Sequence, residues 1–175
     1  GTGRMVEQGL NKLGIQTDFN WVEEETRTNT VAREAGGEWY IRLNEPGPHI
    51  PPEAIQALLD KASAYAKADD VWVASGSLPQ DVPDDFYARL IRILNQAGAR
   101  VFFNANDEPL RLGMQENPFL LRLNEEDSQH LAGHPIRHLD DAKRAALSFL
   151  RQRVPHVCFP YSEQNFILAS QKEMV

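Results

Sequence analysis

Three short stretches bring together residue types that could do chemistry. The first is Arg27 in Glu25-Thr26-Arg27-Thr28-Asn29, followed one hairpin later by Pro46-Gly47-Pro48. A guanidinium grips an oxyanion through two parallel hydrogen bonds, and Asn29 could touch the same ligand. A solvated hairpin arginine would show the same pattern. The second is Ser75-Gly76-Ser77-Leu78-Pro79, directly after the apolar run Val71-Trp72-Val73-Ala74. The run predicts a strand covered on both faces. Its polar turn would then lie beyond a strand's carboxyl end, where open α/β sheets bind ligands. Gly76 allows close approach to the backbone, and the serines offer donors to an anion, Ser75 with the alternative of merely capping the turn. Spacing alone fits an ordinary strand-to-helix turn as well. The third is Asn124-Glu125-Glu126-Asp127. Its oxygens suit a hard cation, or Asn124 simply caps a helix with Asp127 in the first turn. His130, His134 and His138 are spaced by four, but Gly133 and Pro135 interrupt any shared helix. They are expected to be solvated loop histidines and not a zinc site.

Composition narrows the function classes. The 175 residues suffice for one domain with a core. A net charge of −7 argues against nucleic acid as the main partner, which needs a basic surface. It leaves room for a small anion held by a local arginine. The single cysteine, Cys158, excludes an internal disulfide framework and reads as a buried strand thiol. No apolar run approaches transmembrane length and no signal-peptide pattern is visible, so a reducing cytoplasm and no membrane partner are expected.

Periodicity places the motifs on elements. Residues 3–13 read as an amphipathic helix stopped by Gly14. Asp18 to Glu24, Thr26 to Arg33 and Glu38 to Leu43 read as strands, with Gly36-Gly37 as a hairpin turn. This unit, over 18–48, stands apart from core βα units over 49–175. Pro51-Pro52-Glu53 opens a helix whose apolar face carries Ile55, Leu58, Leu59, Ala62 and Tyr65. Asp84 and Asp85 open another, ended by Gly98. Strands follow at Val101–Phe103 and Phe119–Leu121, and Met114 reads as packing. A helix from Asp140 to Arg153 leads to strands at Val157–Phe159 and Phe166–Ala169. Alternating strands and helices predict an α/β fold with a mostly parallel sheet. No linker divides the chain into independent domains.

The pairing of Glu25-Thr26-Arg27-Thr28-Asn29 with Ser75-Gly76-Ser77-Leu78-Pro79, followed by Asn124 to Asp127, resembles the ribokinase/PfkB-type carbohydrate kinases. Within them it looks most like the phosphohexose branch, which includes 1-phosphofructokinase, tagatose-6-phosphate kinase and the minor 6-phosphofructokinase. The resemblance implies a three-layer α-β-α sandwich with a small antiparallel β lid that often mediates dimer contacts. It implies ATP-dependent phosphorylation of a phosphorylated ketohexose, with ATP and Mg2+ as cofactors. By the same resemblance Arg27, Asn29, Gly76 and Ser77 bind the substrate phosphate, and Asn124 and Asp127 organise magnesium and nucleotide. It further implies that this chain is the middle of a larger domain. The early sugar-binding strands would precede residue 1, and the Gly-Ala-Gly-Asp segment with the catalytic base would follow residue 175. No catalytic residue is therefore assigned within the chain, and the piece alone is expected to be inactive.

Four departures from the family pattern stand out. Asp127 replaces a glutamate, and Arg122-Leu123 replaces Lys-Pro. Asn104-Ala105-Asn106-Asp107 stands where the family has an Asp-x-Ser-Gly-like segment, so that segment receives no role. Pro160, Ser162 and Asn165 stand where a Thr-x-Gly-x-x-Gly turn lies near the nucleotide phosphates. Asn165 could adopt a left-handed conformation there at some cost. The lost glycines at Ser162 and Asn165 and the replacement of glutamate by Asp127 favour an alternative reading: a non-catalytic relative that binds a sugar phosphate or serves as an oligomerisation scaffold.

Overall fold

The computed structural model describes residues 1–36, 39–152, 154–162 and 164–175. Gly37 of the expected hairpin turn, Glu38 at the expected strand start and Arg153 at the expected helix end lie outside the described residues. The elements run α1 (Thr2–Lys12), β1 (Asn29–Arg33), β2 (Tyr40–Asn44), α2 (Pro52–Tyr65), β3 (Val71–Ser75), α3 (Phe86–Gln96) and β4 (Arg100–Asn104). They continue through α4 (Asp107–Met114), β5 (Leu120–Arg122), α5 (Glu125–Ala132), α6 (Leu139–Arg151), β6 (His156–Pro160) and β7 (Phe166–Ser170). Two compact units emerge: Gly1–Leu58 with Pro79–Pro83, and Leu59–Leu78 with Asp84–Val175. The boundary falls within α2.

The first unit holds α1 and an antiparallel pair, β1 with β2, in which Thr30 faces Leu43 and Ala32 faces Ile41. Gly36 takes a φ of 75° in the connection between them. Glu45 accepts a 2.7 Å hydrogen bond from the Thr28 backbone N–H, which ties the two chains just before β1 and after β2. The strand expected over Asp18 to Glu24 does not form. An extended segment is a strand only when a neighbour takes up its backbone groups. This one is held instead by side chains: Phe19 meets Trp21 edge-on at 5.8 Å, and the Asn20 amide donates to the Ala54 carbonyl at 3.3 Å.

The second unit is a five-stranded sheet in the order β3-β4-β5-β6-β7. The first four strands are parallel and β7 returns antiparallel beside β6. The fold is thus α/β with a mostly parallel sheet and a separate antiparallel pair. A parallel order that advances one neighbour at a time places each right-handed crossover on the same face. Burial follows that rule. Ala74, Val101, Phe103, Leu121, Val157, Phe159, Ile167 and Ala169 are buried on one face. Helices α3, α4 and α6 pack over them, with Tyr87 5.2 Å from Phe103 and Phe149 edge-on to Phe159 at 5.5 Å. Burying each of the Val, Leu, Ile and Phe side chains among them contributes about 1.5–3 kcal/mol.

The opposite face is exposed at its two edge strands, which corrects the expectation that β3 is buried on both sides. Val71 is 59% and Val73 72% exposed, and Phe166 and Leu168 at the other edge are 56% and 47% exposed. Cys158 lies on this same face and is only half-buried, not fully buried as expected. In α2 the buried stripe is Ile55, Leu59 and Ala62 alone; Leu58 and Tyr65, expected beside them, are exposed. Met114 is buried, as its packing role requires. Helix α4 lies where the sequence pattern predicts no element. Pro109 and Gly113 disguise it, although Pro in a first turn costs a helix nothing.

Candidate functional site

The carboxyl ends of β3, β4 and β5 sit side by side in the second unit, and polar side chains knit them together. Ser75 closes β3 with its hydroxyl 3.4 Å from the Asn104 side-chain oxygen at the end of β4. The Asn104 amide donates to the Arg122 carbonyl at the end of β5 at 2.9 Å. The Gly76 N–H donates to the Asn104 carbonyl at 3.3 Å. Asn104 therefore links three strand ends, a role that sequence reasoning missed. The only signal was an uncharged residue where the resembling kinases carry an acid.

Gly76 turns the chain with a φ of 119°, a region that residues with a Cβ rarely enter. Its carbonyl accepts a 2.8 Å hydrogen bond from the Tyr87 hydroxyl on α3. Burial pushes the Tyr87 phenol up, so it stays a donor at physiological pH. Ser75, Gly76 and Ser77 are all exposed at the rim.

Asn124 takes extended backbone and caps α5, its side-chain oxygen accepting from the Asp127 N–H at 2.7 Å. The capping alternative is thus realised, which is compatible with a ligand role for the remaining Asp127 carboxylate. Asp127 Oδ2 is buried and, among the described residues, has no hydrogen-bond partner. Burial chiefly, then the negative charges of Asp107 and Glu126, push the Asp127 carboxyl up; the Asn124 side chain and His130 oppose them. Asp107 opens α4 with a φ of 55°. It stands at the glycine position of the Asp-x-Ser-Gly-like segment, so the turn keeps a left-handed shape without glycine. Asn106, Asp107, Arg111, Asn124, Asp127 and His130 line a cleft of about 610 Å³ here.

These oxygens fit a hard cation of the magnesium type, and the orphaned Asp127 Oδ2 is the atom that asks for one. Among the described residues no group of three or more His, Cys, Asp or Glu side chains is disposed to hold a metal by itself. That suits an ion carried by one or two carboxylates together with phosphates and water. The three histidines do not share one helix, as expected, but His130 lies in α5 and not in a loop; His134 sits against the Pro135 carbonyl and His138 caps α6.

The β6–β7 turn differs from its expected form. Tyr161 and Ser162 N–H both donate to the Asn165 carbonyl, and Asn165 N–H donates to the Ser162 hydroxyl at 3.2 Å. Asn165 does not adopt the left-handed conformation. The side-chain hydroxyl closes the turn that glycines would otherwise close.

In the first unit Arg27 is half-buried. A Cβ on Gly47, which has a φ of 94°, would lie 3.7 Å from the Arg27 Cδ. The Pro46-Gly47-Pro48 turn therefore flanks the Arg27 stem. Asn29 is exposed as the first residue of β1.

A model of the pfkB family carbohydrate kinases matches residues 1–175. The chain is 28% identical over 151 residues to the 1-phosphofructokinase of Haemophilus influenzae, covering 86% of this chain and 48% of that one. It is 29% identical over 133 residues to the D-tagatose-1-phosphate kinase of Klebsiella oxytoca, covering 76% and 42%. Among solved structures, phosphofructokinase-2 from Escherichia coli in complex with substrates and products superposes with a TM-score of 0.90 at 19% identity, covering 100% of this chain and 57% of that one. A possible 1-phosphofructokinase from Thermotoga maritima gives 0.81 at 24% identity, covering 97% and 54%. At these identities the structures show the fold, which is the ribokinase-like one expected. The chain spans about half the length of the curated relatives it matches. With a family match running from its first residue to its last, this chain belongs to the pfkB family of carbohydrate kinases.

Proposed function

We propose that the protein carrying this chain is an ATP-dependent phosphotransferase acting on a phosphorylated ketohexose. The observation that carries this reading is the family match through all 175 residues. Relatives named 1-phosphofructokinase and D-tagatose-1-phosphate kinase support a sugar phosphate as substrate. In this reading 18–48 is the lid-like β unit and 49–175 the core. Arg27 and Asn29 contribute to holding the phosphate already on the sugar, as do Gly76 and Ser77. Asn124 and Asp127 help place magnesium and nucleotide; the metal supplies charge neutralisation to the transferring phosphates. Phosphoryl transfer depends on positioning and electrostatics, so each of these residues acts by where it holds an oxygen. The 175 residues by themselves are proposed to be inactive, with the base and anion hole supplied elsewhere. A homodimer through β1 and β2 and a cytoplasmic setting belong to the same reading.

A second reading is favoured by the β6–β7 turn. Three of its N–H groups are spent on internal hydrogen bonds, and Pro160 supplies none. A relative that keeps its sugar-phosphate site while losing nucleotide use would look like this. Calorimetric titration of the full-length protein separates the two. Mg-ATP is titrated alone and then with fructose 1-phosphate, fructose 6-phosphate or tagatose 6-phosphate. Saturable ATP binding strengthened by one sugar supports the kinase and names its substrate. Sugar-phosphate binding without ATP binding supports the non-catalytic reading, and no binding of any sugar phosphate sinks both.

A further inference from the structure

We infer that Tyr87 is a positioning residue for the sugar-phosphate site, acting through the Gly76–Ser77 peptide; this rests on the proposed role of Ser77. Tyr87 is 5% exposed. Its ring is fixed against Phe86 at 5.4 Å and Phe103 at 5.2 Å. Phe103 is itself 1% exposed and closely backed by Gly113 of α4. Only the hydroxyl reaches the strand end, where it donates to the Gly76 carbonyl at 2.8 Å.

The consequence follows from peptide geometry. A trans peptide is planar, and its C=O and N–H point in opposite directions. Holding the Gly76 carbonyl toward Tyr87 therefore aims the Ser77 N–H away from Tyr87. The Gly76 N–H is held as well, on the Asn104 carbonyl. Gly76 is thus pinned at its own N–H and its own carbonyl, in a conformation that only glycine adopts freely. Such a turn holds the Ser77 N–H in one fixed direction, as recognition of an oxyanion requires. Tyr87 holds that direction without touching the ligand.

Tyr87→Phe keeps the ring and removes only the hydroxyl. Gly76 is exposed, so water replaces the lost donor and the fold tolerates the change. The test uses the full-length protein and whichever of fructose 1-phosphate, fructose 6-phosphate and tagatose 6-phosphate it binds most tightly. Tyr87→Phe is expected to weaken that sugar phosphate about tenfold, leaving Mg-ATP affinity and Tm nearly unchanged. Ser77→Ala is expected to weaken it too, and the double variant to be clearly less than additive, because both act through one peptide. Unchanged sugar-phosphate affinity in Tyr87→Phe, with Ser77→Ala weakened, overturns the positioning role alone. Equal losses for sugar and nucleotide, or full additivity, also overturn it. Unchanged affinity in Ser77→Ala overturns the underlying site as well, as does a wild-type protein that binds none of the three sugars.

Discussion

At the residue scale the decisive pair is Asp107 and Asp127. Asp127 is held above the ordinary aspartate value of 3.8, by burial first and then by the Asp107 and Glu126 charges. A carboxyl raised in the folded state binds more protons folded than unfolded. Its contribution therefore falls as pH rises above 3.8 and is most unfavourable once it is fully ionised. Asp127→Asn, which keeps the shape without the charge, is expected to raise Tm at pH 7. The gain should vanish below 3.8, where both forms are neutral; thermal melts across pH check it, and an unchanged gain at low pH contradicts the cause. Asp107 tests the turn. With its φ at 55°, Asp107→Gly is expected to be more stable than Asp107→Ala by about 1 kcal/mol, because alanine pays the left-handed penalty. Denaturant melts of the two variants decide it. Asp107→Gly also removes a like charge, so the Asp127 titration midpoint should move down when followed by NMR.

At the element scale, α4 shows how packing overrides local appearance. A Cβ built on Gly113 would lie 2.5 Å from two ring carbons of Phe103, which is fully buried. Helix propensity alone favours alanine at that site by about 1 kcal/mol. Overpacking against a ring that cannot move costs about 1–3 kcal/mol. Gly113→Ala is therefore expected to destabilise, by on the order of 1 kcal/mol net, and a stabilised variant would show that α4 can slide on β4. The loss should be read as a shift in denaturant midpoint at constant slope. Gly113 and Pro109 mask this helix in the sequence, although Asn106 with Asp107 and Glu108 is a start signal. In contrast, α5 was legible because Asn124 followed by acids is a cap whose hydrogen bond is local. The failed strand over 18–24 is the reverse case: its apolar residues suggest a strand, but pairing depends on a neighbour that the segment does not contain.

At the scale of the molecule, the second unit presents one apolar sheet face to solvent. Val71, Val73, Phe166 and Leu168 on it are each more than 40% exposed. Exposed apolar surface of this kind binds dyes and drives association. The 175 residues expressed alone are expected to enhance and blue-shift ANS fluorescence and to self-associate as concentration rises. Val73→Glu with Leu168→Lys should suppress both while leaving Tm within a few degrees, since neither side chain packs in the core. Dye binding that persists undiminished in that variant would place the sticky surface elsewhere. No helix among the described residues is long and apolar enough to cross a membrane.

The sequence by itself determined the α/β class, the βα units other than the one built on α4, the strand-end placement of Ser75 to Ser77 and of Asn124, and membership of a kinase family. These rest on periodicity, capping and short motifs, which act over a few residues and survive in a linear reading. Only the tertiary structure decided that one sheet face stays exposed at its edges, that Asn104 joins three strand ends, that Tyr87 reaches Gly76, and that burial, then Asp107, raises Asp127. The residues concerned are 11 to 29 positions apart along the chain where a hydrogen bond joins them. Such pairs are brought within reach only by the right-handed crossovers of a parallel sheet, which local patterns cannot encode.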